Sequence, residues 1–335
     1  MVKDREIDRC RAKLERSLAS PDLQSREAVK NLLRDQLQGC SETVVHRRVN
    51  EISNVLDMFR SASSLGKHSA WKLKADGRDF RVMYRPDPDG PFHSLLLEGC
   101  IDAPLDECLC ISWETQLFRK WWPQSAVPPF KLTHTERLLI PRVGEEVAFM
   151  RMKVPWPMTS REAVVHFLKF DYFKEDMIVV VINSIADSEE VEEETHGFKR
   201  ECIPEAKDAV RIDYVGGFVI QKVSSNRSFF RTIAKMDMKL DVVPASMINF
   251  ISRQLVGQGF KLYQKAVISL ARKRDDDYVK ELGDSMYARI RMALYDDGNG
   301  RDDREEEYSD CISSSIEEHE EHDGEEHDEE TVATY

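Results

Sequence analysis

The sequence predicts an α+β fold in which a largely antiparallel sheet is followed by a long helix. Two observations lead to this prediction: strand-sized apolar segments recur between residues 80 and 239, and an apolar stripe with helical spacing begins at Pro244. In addition, residues 3–60 show helical spacing only. Strands and helices that are segregated along the chain, rather than alternating, are typical of this class.

Three amphipathic helices are predicted in an N-terminal helical segment, residues 1–65. The first carries apolar residues at spacings of three and four, the second follows Ser20-Pro21, and the third begins at Ser41. Because apolar stripes must be buried, the helices are expected to pack on the following domain, with self-association as the alternative.

Eight segments have the length and composition of strands. They are residues 80–84, 93–101, 131–140, 146–154, 163–172, 177–184, 209–223 and 229–239. One helical segment, residues 104–112, separates the second from the third. Gly216-Gly217 lies inside a strand pattern, which predicts a close backbone approach or a bulge.

The C-terminal residues 296–335 form an acidic tail. They hold 18 acidic residues against two arginines, so they contribute −16 to a total charge of −13 and leave +3 on the rest of the chain. The tail has no apolar periodicity and is expected to be disordered. Between the two terminal segments, residues 66–295 are predicted to form the ligand-binding domain, with its core at residues 93–274.

The composition favours a cytoplasmic protein. The first residues alternate in charge without an apolar core, unlike a secretory signal, and no apolar run approaches the length of a membrane span. The seven cysteines are scattered and contain no C-x-x-C pair, which is typical of reduced thiols.

No pattern in the sequence indicates a catalytic, cofactor or metal site. A phosphate-binding loop and an H-E-x-x-H motif are both missing. His319, His322 and His327 lie among carboxylates in the tail, but a disordered segment has no fixed ligand geometry. We therefore expect no catalytic residues, no cofactor and no specific metal.

Nucleic-acid binding is not expected either. The compact basic cluster Arg272-Lys273-Arg274 is followed directly by Asp275-Asp276-Asp277, which cancels the local positive field. Basic side chains at this position are typical of the end of a helix, where they complement its dipole.

Three ordered motifs between His93 and Leu270 resemble the START (lipid-transfer) domain family. Residues 98–123 look like the family's strand, helix and aromatic-flanked turn. The segment at 155–162, PWPMTSRE, is similar to the family signature P-x-P-[MV]-[ST]-x-R-D. Residues 241–244, DVVP, resemble the entry to the family's C-terminal lid helix.

The chain departs from the family pattern at informative positions. Trp121-Trp122 stands where the family commonly has Trp-Asp, and Arg161-Glu162 where it has Arg-Asp. Choline-lipid-binding members have cage-forming aromatic residues at the positions of Met150 and Ala163. Because Met and Ala supply no aromatic face, a phosphocholine-specific pocket is not expected.

The resemblance implies a helix-grip fold, a curved antiparallel sheet around a long C-terminal helix that encloses a hydrophobic tunnel. The strand at 146–154 supports this, since Met150 and Met152 alternate with Arg151 and Lys153. The predicted cavity residues are Met150, Met152, Ala163, Val165, Val181, Asn183, Val219, Ile251, Gln254 and Leu255. Asn183 and Gln254 are expected to fix a head group, whereas Arg161, Glu162 and Pro244 are expected to be structural.

The function implied by the resemblance is non-enzymatic binding and intermembrane transfer of a single lipid, a phospholipid, sterol or related molecule, with transient membrane contact. The alternative is a scaffold or lipid-sensing interaction protein, in which the N-terminal helices bind partners and the acidic tail binds a basic protein. An enzyme is a third possibility, because related pockets in the wider superfamily host cyclase or hydrolase chemistry.

Overall fold

The computed structural model describes residues 5–62, 71–87, 92–126, 130–156, 158–237, 239 and 256–296. Within these residues, a ten-stranded sheet forms the centre of the molecule. In chain order its strands are β1 (Lys72–Asp76), β2 (Phe80–Pro86), β3 (Phe92–Ile101), β4 (Lys131–Leu139), β5 (Glu145–Lys153), β6 (Arg161–Tyr172), β7 (Met177–Ser184), β8 (Val210–Arg211), β9 (Asp213–Ser224) and β10 (Arg227–Asp237).

The strands pair in the order β1-β2-β3-β10-β9-β7-β6-β5-β4, and every neighbouring pair along this path is antiparallel. The short strand β8 pairs with β6 in parallel. The predicted α+β class is therefore confirmed. The strand predictions missed β1, whose sequence KLKAD is polar and largely exposed, and joined β8 to β9.

The helices are α1 (Glu6–Leu18), α2 (Arg26–Gln36), α3 (Glu42–Ser61), α4 (Leu105–Trp113), α5 (Phe118–Trp121), α6 (Glu193–His196), α7 (Gln258–Lys273), α8 (Asp276–Leu282) and α9 (Ser285–Tyr295). Side-chain caps begin two of the N-terminal ones: Ser25 accepts the N–H of Ala28, and Ser41 accepts the N–H of Val44. The described residues through Leu294 form one compact unit.

The two faces of the sheet are covered by different helices. Residues paired across a ladder share a face, so the register assigns each side chain to one of two sides. We call the side that carries Leu168, Val179 and Phe229 the outer face. The side that carries Val180, Phe218 and Phe230 is the inner face.

The N-terminal helices α1–α3 pack on the outer face. Their buried apolar residues, including Ile7, Leu14 and Ile52, form a single cluster with outer-face residues such as Phe170 and Val179. The helices therefore pack on the following domain, the first of the two alternatives expected from the sequence. The apolar stripes of these three helices are therefore buried by contacts within the same chain.

A buried ionic network joins α1 to the centre of the sheet. Glu98 on β3 accepts hydrogen bonds from Arg231 on β10 at 2.9 Å and from Arg11 on α1 at 2.8 Å. Arg81 on β2 lies 3.4 Å from the same carboxylate and 3.0 Å from Asp8 on α1. Glu98 and Arg231 have no exposed surface, and their charges are compensated inside this network.

Helices α4 and α7 cover one end of the inner face. The rings of Phe260 and Tyr263 on α7 lie 6.0 Å and 5.4 Å from that of Phe230, and the Tyr263 hydroxyl donates to the Cys108 carbonyl of α4 at 2.6 Å. Gly99 lets Phe260 approach β3, because a Cβ at that position would lie 2.3 Å from the Phe260 ring. The missing side chain at Gly99 thus allows α7 to pack directly against β3.

The predicted close approach at Gly216-Gly217 is confirmed. A Cβ added at Gly216 would lie 2.1 Å from the carbonyl oxygen of Ile233, and one at Gly217 would lie 2.1 Å from that of Val180. Both neighbouring strands therefore come too close to β9 for any side chain at these two positions.

The C-terminal part of the domain contains two helices that were not predicted, α8 and α9. Arg274 ends α7 in the left-handed conformation, and Asp275 caps α8 by accepting the N–H of Tyr278 at 3.2 Å. The aspartates at 275–277, which offset the positive charge of the basic cluster at 272–274, thus also form the start of a helix. The predicted start of the long helix at Pro244 and the acidic tail from residue 297 lie outside the described residues.

Candidate functional site

One end of the inner face keeps partly accessible side chains. They come from β5, β7, β9 and β10 and are mostly apolar: Met150, Met152, Ile182, Ser184, Tyr214, Thr232, Ala234 and Met236. We call this group the open end of the inner face. At the other end, Ile178, Ile220 and Phe230 are buried, and the aromatic residues of α7 lie against Phe230.

Tyr214 at the open end is desolvated by the protein around it. Desolvation raises the pKa of its phenol, and a hydrogen bond with Thr232 opposes this shift only in part. The same side chain nevertheless keeps accessible surface.

The polar groups at the open end are few and belong to the strands themselves. Ser184 accepts the backbone N–H of Tyr214 at 2.9 Å, and Thr232 donates to the Gly217 carbonyl at 2.9 Å. Nearby on the inner face, the hydroxyl of Tyr84 lies 2.9 Å from Nδ1 of His93. Thioether and aliphatic groups dominate the rest, a composition suited to apolar ligands of variable shape.

Four of the predicted cavity residues lie on the inner face. Met150 pairs with Ala163 across β5 and β6, and Val165 pairs with Ala148 on the same face. Met150 and Met152 keep accessible surface, whereas Ala163 and Val165 are buried. On β5 the two methionines share a face because Met alternates with Arg and Lys, and the role of all four residues in a cavity stays a prediction.

Three predicted cavity residues lie on the opposite face, and the expectation is corrected for them. Val181 and Val219 belong to the cluster that packs against the N-terminal helices. Asn183 pairs with His166 and Val215, and these place it on the outer face as well. Their neighbours Ile182 and Phe218 occupy the inner face instead, so both strands are out of phase by one residue.

The residues of β7 and β9 were assigned to the wrong face because both faces of this part of the sheet are buried. Strand β7 reads MIVVVINS, an unbroken apolar run with no polar alternation to mark a face. The residues missed on β10 had a usable signal: Arg231 and Lys235 alternate with Thr232, Ala234 and Met236. Applying the period of two to β10 would have found three of the open-end residues.

The remaining predicted residues divide into two groups. Ile251, Gln254, Leu255 and Pro244 lie outside the described residues. Arg161 is buried and donates to the Thr159 carbonyl at 2.6 Å, and desolvation lowers the pKa of its guanidinium. Glu162 accepts from Arg151 at 2.6 Å and from Arg211 at 2.8 Å, which ties β5, β6 and β8 together.

An exposed tryptophan lies beside the open end. Trp156 is 88% exposed and sits in the connection between β5 and β6. Met152 and Arg161 are paired residues at the adjoining ends of these two strands. The largest exposed aromatic surface among the described residues is thus next to the accessible methionines.

A buried pair of carboxyl groups lies at the β5 edge of the inner face. Arg137 is 3.2 Å from Glu114 at the end of α4 and 3.7 Å from Glu146 on β5. Tyr287 donates to Glu114 at 2.7 Å, and Thr115 donates to Glu146. Burial raises the pKa of each carboxyl to about 7. Both are almost fully buried, so their protonation is coupled to the stability of the fold.

The part of the chain that the structure describes contains no group of side chains arranged to hold a metal ion. None of its helices is both long and apolar enough to cross a membrane.

Comparison with known proteins rests on structure alone. No family model matches the sequence, and no curated protein matches it. Among solved structures, human STARD10 aligns over 66% of this chain and 81% of its own, with 16% identity and a TM-score of 0.50. Human StAR-related lipid transfer protein 5 aligns over 65% of this chain and 95% of its own, with the same identity and TM-score. The long antiparallel sheet with a C-terminal helix on its inner face is therefore the START fold.

Proposed function

We propose that the chain binds a single lipid against the open end of the inner face and carries it between membranes without chemical change. The observation that supports this most directly is the row of partly accessible apolar side chains beside the desolvated Tyr214. The two similar human proteins, one of which is named for lipid transfer, share this fold.

Transfer is favoured by the energetics of a pocket of this kind. Burying an acyl chain contributes roughly 0.8 kcal/mol per CH₂, so a chain of about 18 carbons is on the order of 14 kcal/mol more stable in the pocket than in water. A bilayer provides nearly the same stabilisation. The protein therefore acts on the barrier, because it spares the lipid its passage through water.

Membrane contact is proposed at the connection between β5 and β6. A tryptophan prefers the interface between water and lipid, where its ring is half-buried and its N–H stays hydrated. Trp156 adjoins the open end, so docking there brings the pocket to the membrane surface. The same geometry gives the lipid a short path between bilayer and protein.

The carrier is preferred to a scaffold and to an enzyme. The apolar stripes of α1–α3 are already packed on the outer face, so they offer little free apolar surface to a partner. The two carboxyl groups with raised pKa values, Glu114 and Glu146, have almost no accessible surface and cannot reach a bound ligand. A basic partner for the acidic tail remains compatible with a carrier.

The test is native mass spectrometry of the full chain, followed by extraction and identification of any bound lipid. One co-purified lipid per chain, together with transfer of a fluorescent lipid between vesicles, is the expected result. A chain that co-purifies without lipid and accepts none from vesicles contradicts the proposal. Stoichiometric binding without transfer supports the lipid sensor instead.

A further inference from the structure

A hydrogen-bonded tyrosine and histidine lie beside the open end of the inner face. The hydroxyl of Tyr84 on β2 is 2.9 Å from Nδ1 of His93 on β3, and the two rings are stacked with their centroids 6.0 Å apart. The strand register puts both side chains on the inner face, with His93 directly opposite Met236, one of the accessible residues of the open end. The pair therefore adjoins the site proposed for the lipid.

The surroundings of this pair are apolar. Tyr84 is buried, and its cluster contains Leu95, Met236 and Val256. A buried phenol needs a hydrogen-bond partner, and Nδ1 of His93 is that partner. His93 itself keeps accessible surface. The histidine is therefore a polar group held in a fixed orientation on an apolar part of the face.

The hydrogen bond with Tyr84 decides which nitrogen of His93 is available to a ligand. We assign Tyr84 as the donor, because a phenol is a more acidic donor than a neutral imidazole and an imidazole nitrogen is a more basic acceptor than a phenol oxygen. The proton of the neutral ring then lies on Nε2. Among the residues that the structure describes, Nε2 has no hydrogen-bond partner. His93 thus carries an N–H donor that the fold around it does not use.

Two lysines of the edge strand β1 flank the pair. The ammonium group of Lys74 lies 5.3 Å from the centre of the Tyr84 ring, and Lys72 is opposite Tyr84 in the register of β1 and β2. None of the described inner-face residues on β1, β2, β3 and β10 is acidic. This distribution of charge favours an anion over a cation beside His93.

We propose that His93 binds the head group of the lipid through its Nε2–H, that Tyr84 positions the ring, and that the head group is an oxyanion, either a carboxylate or a phosphate monoester. This inference rests on the proposed function, because it names the class of lipid held at the open end. It also supplies the head-group contact that was expected of Asn183, which lies on the outer face. A hydrogen bond to a charged oxygen is about twice as strong as one to a neutral oxygen, so the contact selects among lipids with the same chains.

The experiment measures competition with the neutral fluorescent probe N-phenyl-1-naphthylamine on the delipidated full chain. Oleic acid is compared with oleyl alcohol, and dioleoyl phosphatidic acid with dioleoylglycerol, so each anion has a neutral partner with the same chains. At least one anion should bind about tenfold tighter than its partner, and the comparison that shows this preference identifies the carboxylate or the phosphate as the head group. Equal affinities within both comparisons would overturn the assignment of the head group and leave lipid binding intact. A chain that binds none of the four lipids would contradict the proposed function itself.

Two substitutions at His93 separate its hydrogen bond from its packing. His93→Asn keeps an amide near the position of Nδ1 and loses the donor at Nε2, whereas the longer side chain of His93→Gln returns an N–H to the position of Nε2. His93→Asn should abolish the preference for the anion while changing the affinity for the neutral partner by less than about threefold. His93→Gln should restore most of the preference. An unchanged preference in His93→Asn would overturn the proposal.

Chemical protection of the unmodified chain keeps the test valid even if a variant folds poorly. Diethyl pyrocarbonate modifies accessible imidazole nitrogens, and peptide mapping by mass spectrometry locates the modified histidines. The preferred anion should reduce the modification of His93 and leave unchanged that of His134, an exposed residue of β4. Modification of His93 that a saturating concentration of the anion does not reduce would overturn the proposal.

Discussion

Arg231 and Glu98 face each other across the β3–β10 ladder, with Nη2 and Oε2 2.7 Å apart and neither side chain exposed. Arg11 and Arg81 approach the same carboxylate from α1 and β2. One buried anion thus compensates several guanidinium groups, and it does so where the N-terminal helices dock on the sheet.

Replacement of Glu98 by glutamine should destabilise the fold by about 3–5 kcal/mol, because it removes the buried carboxylate next to Arg231 and leaves only the more distant Glu15, at 3.7 Å. Urea unfolding followed by circular dichroism measures this difference. The matched control is Glu136→Gln on the exposed edge strand β4, where a loss below about 0.5 kcal/mol is expected. Equal losses for the two variants would mean that the buried network contributes nothing specific.

The pair Glu114 and Glu146 should make stability fall as the pH rises from 5 to 8. Each carboxyl has a pKa raised to about 7 in the folded chain, from an ordinary value of 4.5. A raised pKa means that the folded state holds the proton more tightly, so its stabilising effect is complete below pH 4.5 and is lost as the pH rises through 7.

Glu146→Gln removes this titration while keeping a similar shape. Relative to the unmodified chain, the variant should gain about 1–3 kcal/mol more in unfolding free energy at pH 8 than at pH 5. Denaturation curves at the two pH values measure the gain. A gain that is the same at both values would show that Glu146 does not titrate in this window.

Gly99→Ala should loosen α7, because the added methyl group would lie 2.3 Å from the ring of Phe260 and 2.7 Å from the carbonyl oxygen of Asp79. Overpacking of this kind costs about 1–3 kcal/mol. Hydrogen exchange should speed up in residues 258–273 more than in α1–α3. The double variant Gly99→Ala, Phe260→Leu should recover part of the protection against hydrogen exchange. If it recovers none, the methyl group added by Gly99→Ala does not act through its clash with the Phe260 ring.

Trp156→Ala should weaken binding to neutral phospholipid vesicles by about tenfold, equivalent to roughly 1.4 kcal/mol. Vesicle sedimentation or tryptophan fluorescence measures the binding. Val143→Ala is the control, because Val143 is 85% exposed but lies in the turn between β4 and β5, away from the open end. A similar loss for both variants would argue against docking through the β5–β6 connection.

The class of fold and most strand positions could be predicted from the sequence. The face on which each candidate site residue lies could be predicted only for some strands. Strand β5 was phased correctly, since Arg151 and Lys153 mark one face. Strand β7 was not, because helices cover its outer face and an unbroken apolar run carries no alternation. The outer face of β7 is buried because α1–α3 pack on it. This is a tertiary contact, which the sequence of the strand alone does not reveal.

The short strand β1 and the helices α8 and α9 were missed for related reasons. The alternation in β1 is between charged residues and small or exposed apolar ones, so no buried face marks it as a strand. Helix α8 begins with two aspartates after the N-cap Asp275, and this run of three resembles a polar linker until Asp275 is seen to cap the helix.

The most direct test of the account is photo-cross-linking with a lipid that carries a diazirine in its acyl chain, followed by mapping of the labelled residues. Labels should concentrate on Met150, Met152, Ile182, Ala234 and Met236. The variant Ala234→Phe should reduce labelling about tenfold, because the larger side chain fills space at the open end. The control Lys235→Phe, a neighbouring change on the outer face, should leave labelling unaltered. Labels confined to the outer face or the N-terminal helices, or a yield insensitive to Ala234→Phe, would contradict a lipid held at the open end.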